Sequence, residues 1–379
     1  MQKIVKGFYT LQKIQTEVKR FDVQSIFLVT GNKSYTDSGA ENVLSRELNQ
    51  LSVTRFSDFS PNPKIEDVKK GIRLISEHTH DMVIAVGGGS VIDMAKCVNL
   101  LSSQTNQEKI EEYATGREKL VQKGRPLIAI PTTSGSGSEA THFAVLYING
   151  KKFSLAHKTM RPDIVILDPT LTAALPKKTA ASAGIDAFCQ SVESFWSVNS
   201  TFKSRKYSMK AMKLIIDNLE KSINKPTKRH RKAMSEAAYY AGKAINIAKT
   251  TAPHALSYYF TKKYNIAHGH AVALNLPGFI IFNSSVTEDD VNDKRGVRFV
   301  HRRLKTLLGL LGVSTPYEAA ERVKDLINSI GLESTYAGLK IDIDDELHEL
   351  QMNINLERLK NNPRSVNFND VASILGTDD

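Results

Sequence analysis

The chain has 379 residues, 41% of them hydrophobic and 24% charged, with a formal net charge of +11. That length suits two domains that each bury a core, and the composition excludes a disordered chain. No apolar run approaches the roughly 20 residues of a membrane helix, "MQKIVKGFYTLQKI" lacks a signal-peptide core, and the two distant cysteines, Cys97 and Cys189, argue against a disulfide framework or a thiolate zinc site. A cytoplasmic protein with no membrane partner is the expectation.

In chain order, the first part repeats one theme, a short β-rich apolar run followed by a turn and a helical pattern. The runs are "SIFLVTG" (25–31), "DMVIAVGGG" (81–89), "PLIAIPTT" (126–133) and "DIVILDP" (163–169). Strands alternating with helices predict a mostly parallel sheet covered by helices, with ligands at the carboxyl ends of the strands. Beyond "LDPTLTAALP" (167–176) the texture changes to helical periodicity, as in "KAMKLIIDNL" (210–219) and "YEAAERVKDLINSIGL" (317–332). The reading is an α/β domain over 1–176 and an all-α domain over 177–379, joined near Pro169 and Pro176, with a reaction cleft expected between them.

Three turns at strand ends carry the ligand-binding signal. "LVTGNKSYTDSG" (28–39) has Gly31, Lys33 and Ser34 but no acid for a ribose 2′-hydroxyl, which favours NADP over NAD. "AVGGGSVIDMAK" (85–96) opens a helix with Gly87, Gly88, Gly89 and Ser90, whose backbone N–H groups suit a pyrophosphate, although the run is not GxGxxG. "PTTSGSGSEATHFAV" (131–145) adds Thr132, Thr133, Ser136 and Ser138. Asp93 and Lys152 are assigned to the same dinucleotide site. The basic clusters "KPTKRHRK" (225–232) and "KRGVRFVHRRLK" (294–305) have few interleaved aromatics and read as solvated helix faces, with no nucleic-acid partner.

The second constellation lies in the helical half. In "AGIDAFCQSVESF" (183–195), Asp186 and Gln190 share one helical face at i, i+4, and "APHALSYYFTKKYNIAHGHAVAL" (252–274) carries His254, His268 and His270. Spacing alone leaves a metal site and a hydrogen-bonded interior both open.

GGGS at 87–90, "PTTSGSGSEAT" at 131–141, "DP" at 168–169, "AGIDAFCQSVESFWS" at 183–197, "AHGHAVAL" at 267–274 and "INLERLKNNPR" at 354–364 together resemble the iron-containing (group III) alcohol dehydrogenase family. The resemblance implies a dehydroquinate synthase-like fold, NADP or NAD as cofactor, and a divalent metal, Fe2+ first and Zn2+ second. It places the metal on Asp186, Gln190, His254 and His268. Gln190 departs from the family's histidine, and a neutral amide is a poorer donor than imidazole. A second departure is Tyr258, where many members have a further histidine, so Tyr258 and His270 are the expected catalytic proton carriers. The wording "DAFCQSVESFWSVNS" with "HGHAVAL" is most similar to the phosphonoacetaldehyde reductase branch.

The activity so implied is reversible, NAD(P)H-dependent reduction of a small aldehyde to a primary alcohol by a homodimer. A phosphonate on that aldehyde would give Lys152, His157, Lys158 and Arg161 a use. A generic short-chain alcohol dehydrogenase, a dehydroquinate synthase-like cyclase and a basic binding protein with a degenerate site are the competing readings.

Overall fold

The computed structural model describes residues 2–354 and 356–376; Met1, Asn355 and residues 377–379, which fall inside the predicted domain bounds, lie outside the described residues. Contacts divide the chain into an N-terminal unit, Met1–Leu175, and a C-terminal unit, Pro176–Asp379.

The N-terminal unit holds strands β1 (Lys3–Lys6), β2 (Ser25–Thr30), β3 (Ser52–Phe56), β4 (Met82–Gly87), β5 (Leu127–Pro131), β6 (Phe143–Ile148), β7 (Lys151–Ala156) and β8 (Ile164–Leu167). Its helices are α1 (Ile14–Val18), α2 (Lys33–Asp37), α3 (Ala40–Glu47), α4 (Ile65–Ser76), α5 (Gly89–Leu101) and α6 (Ile110–Thr115). Six strands form a parallel sheet in the order β1-β8-β5-β4-β2-β3. The central strands are buried along their whole length, as expected of a sheet covered on both faces. Successive residues feed opposite cores: Phe27, Val29, Val83 and Ala85 pack on one side, and Ile26, Leu28, Met82 and Ile84 on the other.

The chain passes from β2 outward to β3 and then returns to β4 on the other side of β2. That reversal is the topological switch point, where a doubly wound sheet binds its ligand. The four predicted strands are present as β2, β4, β5 and β8. Not predicted were the edge strands β1 and β3, nor the antiparallel hairpin β6–β7, in which Ile148 pairs with Lys151 across Asn149 and Gly150. Both turn residues have positive φ, 49° and 71°, as the tightest hairpin turn demands.

The C-terminal unit contains α7 (Lys177–Trp196), α8 (Phe202–Asn224), α9 (Lys228–Ala248), α10 (Ala252–Tyr264), α11 (His268–Ser284), α12 (Val297–Leu311), α13 (Pro316–Ser329), α14 (Ile343–Asn353), α15 (Leu356–Lys360) and α16 (Phe368–Leu375). Helix α7 is buried almost all round, as befits the centre of a helical core, and packs against α8, α9, α11 and α12. Its Phe188, Phe195 and Trp196 are enclosed, each worth about 1.5–3 kcal/mol of burial. No helix among the described residues is long and apolar enough to cross a membrane. Cys97 and Cys189 are free and buried.

Candidate active site

In the N-terminal unit, the three predicted turns leave the carboxyl ends of the adjacent strands β2, β4 and β5. Gly31, Lys33 and Ser34 follow β2, Gly87–Gly89 and Ser90 join β4 to α5, and Thr132, Thr133 and Ser136 follow β5. The second and third turns touch. A Cβ on Gly89 would lie 2.5 Å from Ser136 Oγ and 2.8 Å from Ser136 Cβ, so glycine there lets the two turns close, while one on Gly88 would make a tight 3.2 Å contact with Thr133 Cγ2. Thr132 Oγ1 is buried in it without a hydrogen-bond partner. Bare amides at the N-terminus of α5, an unpartnered hydroxyl and the switch point together fit a pyrophosphate-bearing ligand.

The other three predicted cofactor residues have a different place. Asp93 accepts from Ser138 Oγ and, at 2.9 Å, from Val145 N. Lys96, which the sequence reading did not single out, is 1% exposed, and its ammonium donates to Ser138 O, Ser138 Oγ, Thr141 Oγ1 and Phe143 O at 2.5–3.0 Å. Lys152, on β7, is near enough for its charge to act on Asp93. Asp93 thus ties Ser138 of the third turn to the start of β6, and Lys152 adds a positive charge beside that carboxylate. Burial pushes the Lys96 ammonium down to about 8 and the neighbouring Glu139 carboxyl up to about 7, each opposed by the other's charge.

Among the residues considered for a phosphonate, His157 Nδ1 is engaged with Thr159 Oγ1 at 2.7 Å, and Lys158 and Arg161 are exposed beside the hairpin. The basic stretch 294–305 is largely exposed on α12, apart from its apolar positions and the half-buried Arg303. A second unpredicted cation is Arg55, which bonds Thr30 Oγ1 at 2.9 Å, reaches Gly31 O at 3.5 Å and pairs with Glu41 at 3.7 Å.

In the C-terminal unit, Asp186 on α7, His254 on α10 and His268 at the start of α11 bring one ligand atom each to within 4.8 Å of one another. The crossing of α7 and α11 makes this possible. A Cβ on Gly269 would lie 2.1 Å from the Ser182 carbonyl and 2.6 Å from Asp186 Cβ, so only glycine lets His268 come this close. The two imidazoles meet edge to face, with ring centroids 5.4 Å apart. Gln190 donates Nε2 to Asp186 Oδ2 at 2.9 Å, while its Oε1 is buried with no hydrogen-bond partner.

Glu193 lies one turn further along the same face of α7 and is fully buried. It accepts from His254 Nδ1, from Thr251 N at 2.7 Å and from Thr251 Oγ1 at 2.9 Å, leaving His254 Nε2 at 3.4 Å from Asp186 Oδ1. Burial alone would lower the His254 pKa, but Glu193 and Asp186 on either side raise it to about 10. Two enclosed carboxylates that favour a proton on His254 also favour a cation beside it. With three convergent donors and an orphaned amide oxygen, these residues fit a divalent metal, and Glu193 fits the outer carboxylate that orients a ligating histidine.

Tyr258 stacks on His268, with centroids 5.6 Å apart and planes 15° from parallel. His270 is outside the group of three. Its Nε2 lies 2.6 Å from the Glu333 carbonyl, and burial first of all lowers its pKa. Glu193 was legible in the sequence, since Asp186, Gln190 and Glu193 at spacings of four and three form one stripe.

Two family profiles cover almost the whole chain: "Iron-containing alcohol dehydrogenase" matches residues 1–169 and "Fe-containing alcohol dehydrogenase family, C-terminal" matches residues 180–378. The chain belongs to the iron-containing alcohol dehydrogenase family. As a member it is an oxidoreductase of alcohols and aldehydes. It is 31% identical to long-chain-alcohol dehydrogenase 1 of Geobacillus thermodenitrificans over 88% of this chain and 84% of that one. It is 32% identical to phosphonoacetaldehyde reductase of Streptomyces viridochromogenes over 78% of this chain and 75% of that one. Among solved structures, sulfoacetaldehyde reductase from Bifidobacterium kashiwanohense in complex with NAD+ superposes with a TM-score of 0.88 at 29% identity, covering 100% and 98% of the two chains. The fold of this alcohol dehydrogenase, a parallel-sheet unit followed by a helical one, is that of its solved relatives.

Proposed function

We propose that the protein reduces a small aldehyde carrying an anionic head group, with phosphonoacetaldehyde the first candidate, to the primary alcohol, using NADPH or NADH and a divalent metal, Fe2+ before Zn2+. The convergence of Asp186, His254 and His268 within 4.8 Å, with the Gln190 amide oxygen left open beside them, carries this reading. The reductases of phosphonoacetaldehyde and sulfoacetaldehyde among its relatives support the choice of substrate class.

When bound, the dinucleotide supplies hydride and the cation supplies Lewis acidity at the carbonyl oxygen. The protein's own part is positioning and proton supply. Gly87–Gly89, Ser90, Thr132, Thr133 and Ser136 seat the pyrophosphate, while Gly31, Lys33 and Ser34 meet the adenosine ribose. With no acid at 31–34 and both Lys33 and Arg55 at that end, NADPH is the preferred carrier. Asp186, His254 and His268 would hold the cation, and Glu193, bonded to His254 Nδ1, fixes that ring with Nε2 turned toward Asp186. Gln190 is the neutral fourth donor, which makes the site weaker than one with imidazole there.

Tyr258, stacked on His268, gives the alcohol its proton. The Glu333 carbonyl can only accept, so the His270 Nε2 carries a hydrogen and Nδ1 is that ring's acceptor; His270 takes protons in a relay rather than supplying the first one. A cytoplasmic homodimer completes the proposal, and light scattering on the purified protein would check the assembly.

The deciding experiment is a panel of small aldehydes with and without phosphonate, scored by NADPH and NADH oxidation before and after chelation and metal add-back. Reduction that survives complete demetallation removes the metal from the reading. A panel with no turnover removes the reductase.

A further inference from the structure

Three arginines of the helical unit crowd one aromatic ring. The guanidinium carbons of Arg295, Arg303 and Arg205 lie 4.0, 5.1 and 5.2 Å from the centroid of Phe299 on α12. Arg303 is one turn beyond Phe299, Arg295 precedes α12, and Arg205 comes from the first turns of α8, which packs against it. All three charges therefore fall within about 10 Å of one another, one Debye length, and repel with little screening.

Among the described residues, one carboxylate pairs with the three. Asp293 is buried and accepts from Arg295 Nε at 2.7 Å and Nη2 at 2.6 Å. The rest of the Arg295 fork is committed to backbone: Nη1 donates to Ser200 O, and Nη2 to Ser197 O at 3.0 Å and Val198 O at 2.9 Å. Arg295 thus ties the α7–α8 turn to the start of α12. Arg205 and Arg303 carry no such load. Arg205 donates Nη1 to Ser200 O at 3.2 Å. Arg303 Nε is buried with no hydrogen-bond partner, and its guanidinium carbon lies 5.4 Å from the centroid of Phe195 on α7.

Burial first, then like charge, lowers the pKa of both: Arg302 and Arg295 act on Arg303, and Arg303 and Arg295 act on Arg205, where Asp293 is the one opposing charge. Both side chains nonetheless stay cationic. A cation withdrawn from water ordinarily has an anion beside it. Three cations against one carboxylate leave an excess of two positive charges. A phosphate monoester carries about two negative charges and three acceptor oxygens, which planar guanidinium forks match in pairs.

We propose that Arg205 and Arg303, with Arg295 beside them, bind the dianionic phosphate group of a small molecule, at a site built of residues that neither the dinucleotide turns nor the metal group uses. The proposal stands apart from the aldehyde-reductase reading.

The test titrates inorganic phosphate into the full chain saturated with NADP+, at about pH 8, where phosphate is a dianion, with ionic strength held constant by chloride. Emission from Trp196, the single tryptophan and the chain neighbour of Phe195, reports on the site, and calorimetry gives the affinity. Wild type should bind phosphate saturably with a Kd on the order of 1 mM, and its Tm should rise with phosphate. Arg303→Gln and Arg205→Gln should each weaken binding roughly tenfold or more, as for one lost charge-assisted hydrogen bond, with NADP+ affinity unchanged. Lys305→Gln, which removes an exposed charge from the same helix, should leave Kd within twofold. If Arg303→Gln fails to fold, Arg205→Gln and Arg303→Lys carry the comparison; lysine keeps the charge, loses the fork and should also weaken binding. No saturable binding at roughly fifty times the expected Kd overturns the proposal. So does binding that the arginine variants leave unchanged, which places phosphate elsewhere, or an equal loss in Lys305→Gln, which reduces the effect to diffuse charge.

Discussion

The N-terminal unit offers main-chain amides at the ends of three neighbouring strands, whereas the C-terminal unit offers side chains from three helices, Asp186, His254 and His268. In the first case the chemistry belongs to backbone geometry, and the residues that matter are those lacking a side chain, Gly88 and Gly89. In the second it belongs to side chains, and the backbone contributes by standing aside at Gly269. The difference shows which half depends on local sequence and which on tertiary packing, and each half can be perturbed separately.

The largest effect should come from Asp186→Ala. Losing the central carboxylate should abolish metal binding and lower kcat/KM roughly a thousandfold or more, the several kcal/mol that a Lewis acid contributes. Metal analysis and steady-state kinetics would show it, and NADPH binding followed by fluorescence should change little. Strong loss of dinucleotide binding would break the separation of the two halves. Next is Glu193→Gln, which leaves His254 without its anionic partner. Metal affinity should fall about 10- to 100-fold in a chelator competition, as for outer-shell carboxylates generally. An unchanged affinity would reduce Glu193 to packing.

On the backbone side, Gly89→Ala sets a methyl against Ser136 Oγ and should raise the KM for NADPH roughly tenfold, about one charge-assisted hydrogen bond, with metal content unaltered. The smallest effect concerns Glu139, whose carboxyl is raised by burial from its ordinary 4.5 to about 7. In that window the folded protein binds a proton that the unfolded chain has released, so stability present below pH 4.5 is lost as pH rises through 7. Glu139→Gln should flatten that slope, and Tm scans from pH 5 to 8 should separate the two proteins by a few degrees, at about 2–4 °C per kcal/mol.

Legibility in the sequence follows the same division. The buried strands β2, β4, β5 and β8 were readable because a sheet covered on both faces needs continuous apolar runs, and the three turns because glycine and hydroxyl residues cluster at strand ends. The edge strands β1 and β3 were not, because lysine, serine and arginine interrupt them where one side of the ladder is open. The β6–β7 hairpin did carry a local signal in Asn149–Gly150, and it was overlooked because 131–145 reads first as a ligand-binding turn and the basic residues from Lys152 onward as anion-binding candidates.

In the helical half, spacing on α7 pointed to Asp186 and Gln190, but nothing local joins them to His254 and His268; the family resemblance did, and packing at Gly269 shows how. Lys96 was out of reach for a related reason. A lysine in a helical run reads as a surface charge, and only the fold shows its ammonium enclosed by four oxygens from the third turn and its surroundings.

The crossing at Gly269 has one more consequence. The gap between α7 and α11 is set by a carbonyl, a Cβ and a missing methyl, none of which can rotate out of the way. The backbones that carry Asp186 and His268 are therefore held at a fixed separation, and swapping one donor's chemistry is the least disruptive way to shift cation preference. Position 190, two turns of α7 from Ser182 and already occupied by an amide, is where such a swap disturbs the frame least.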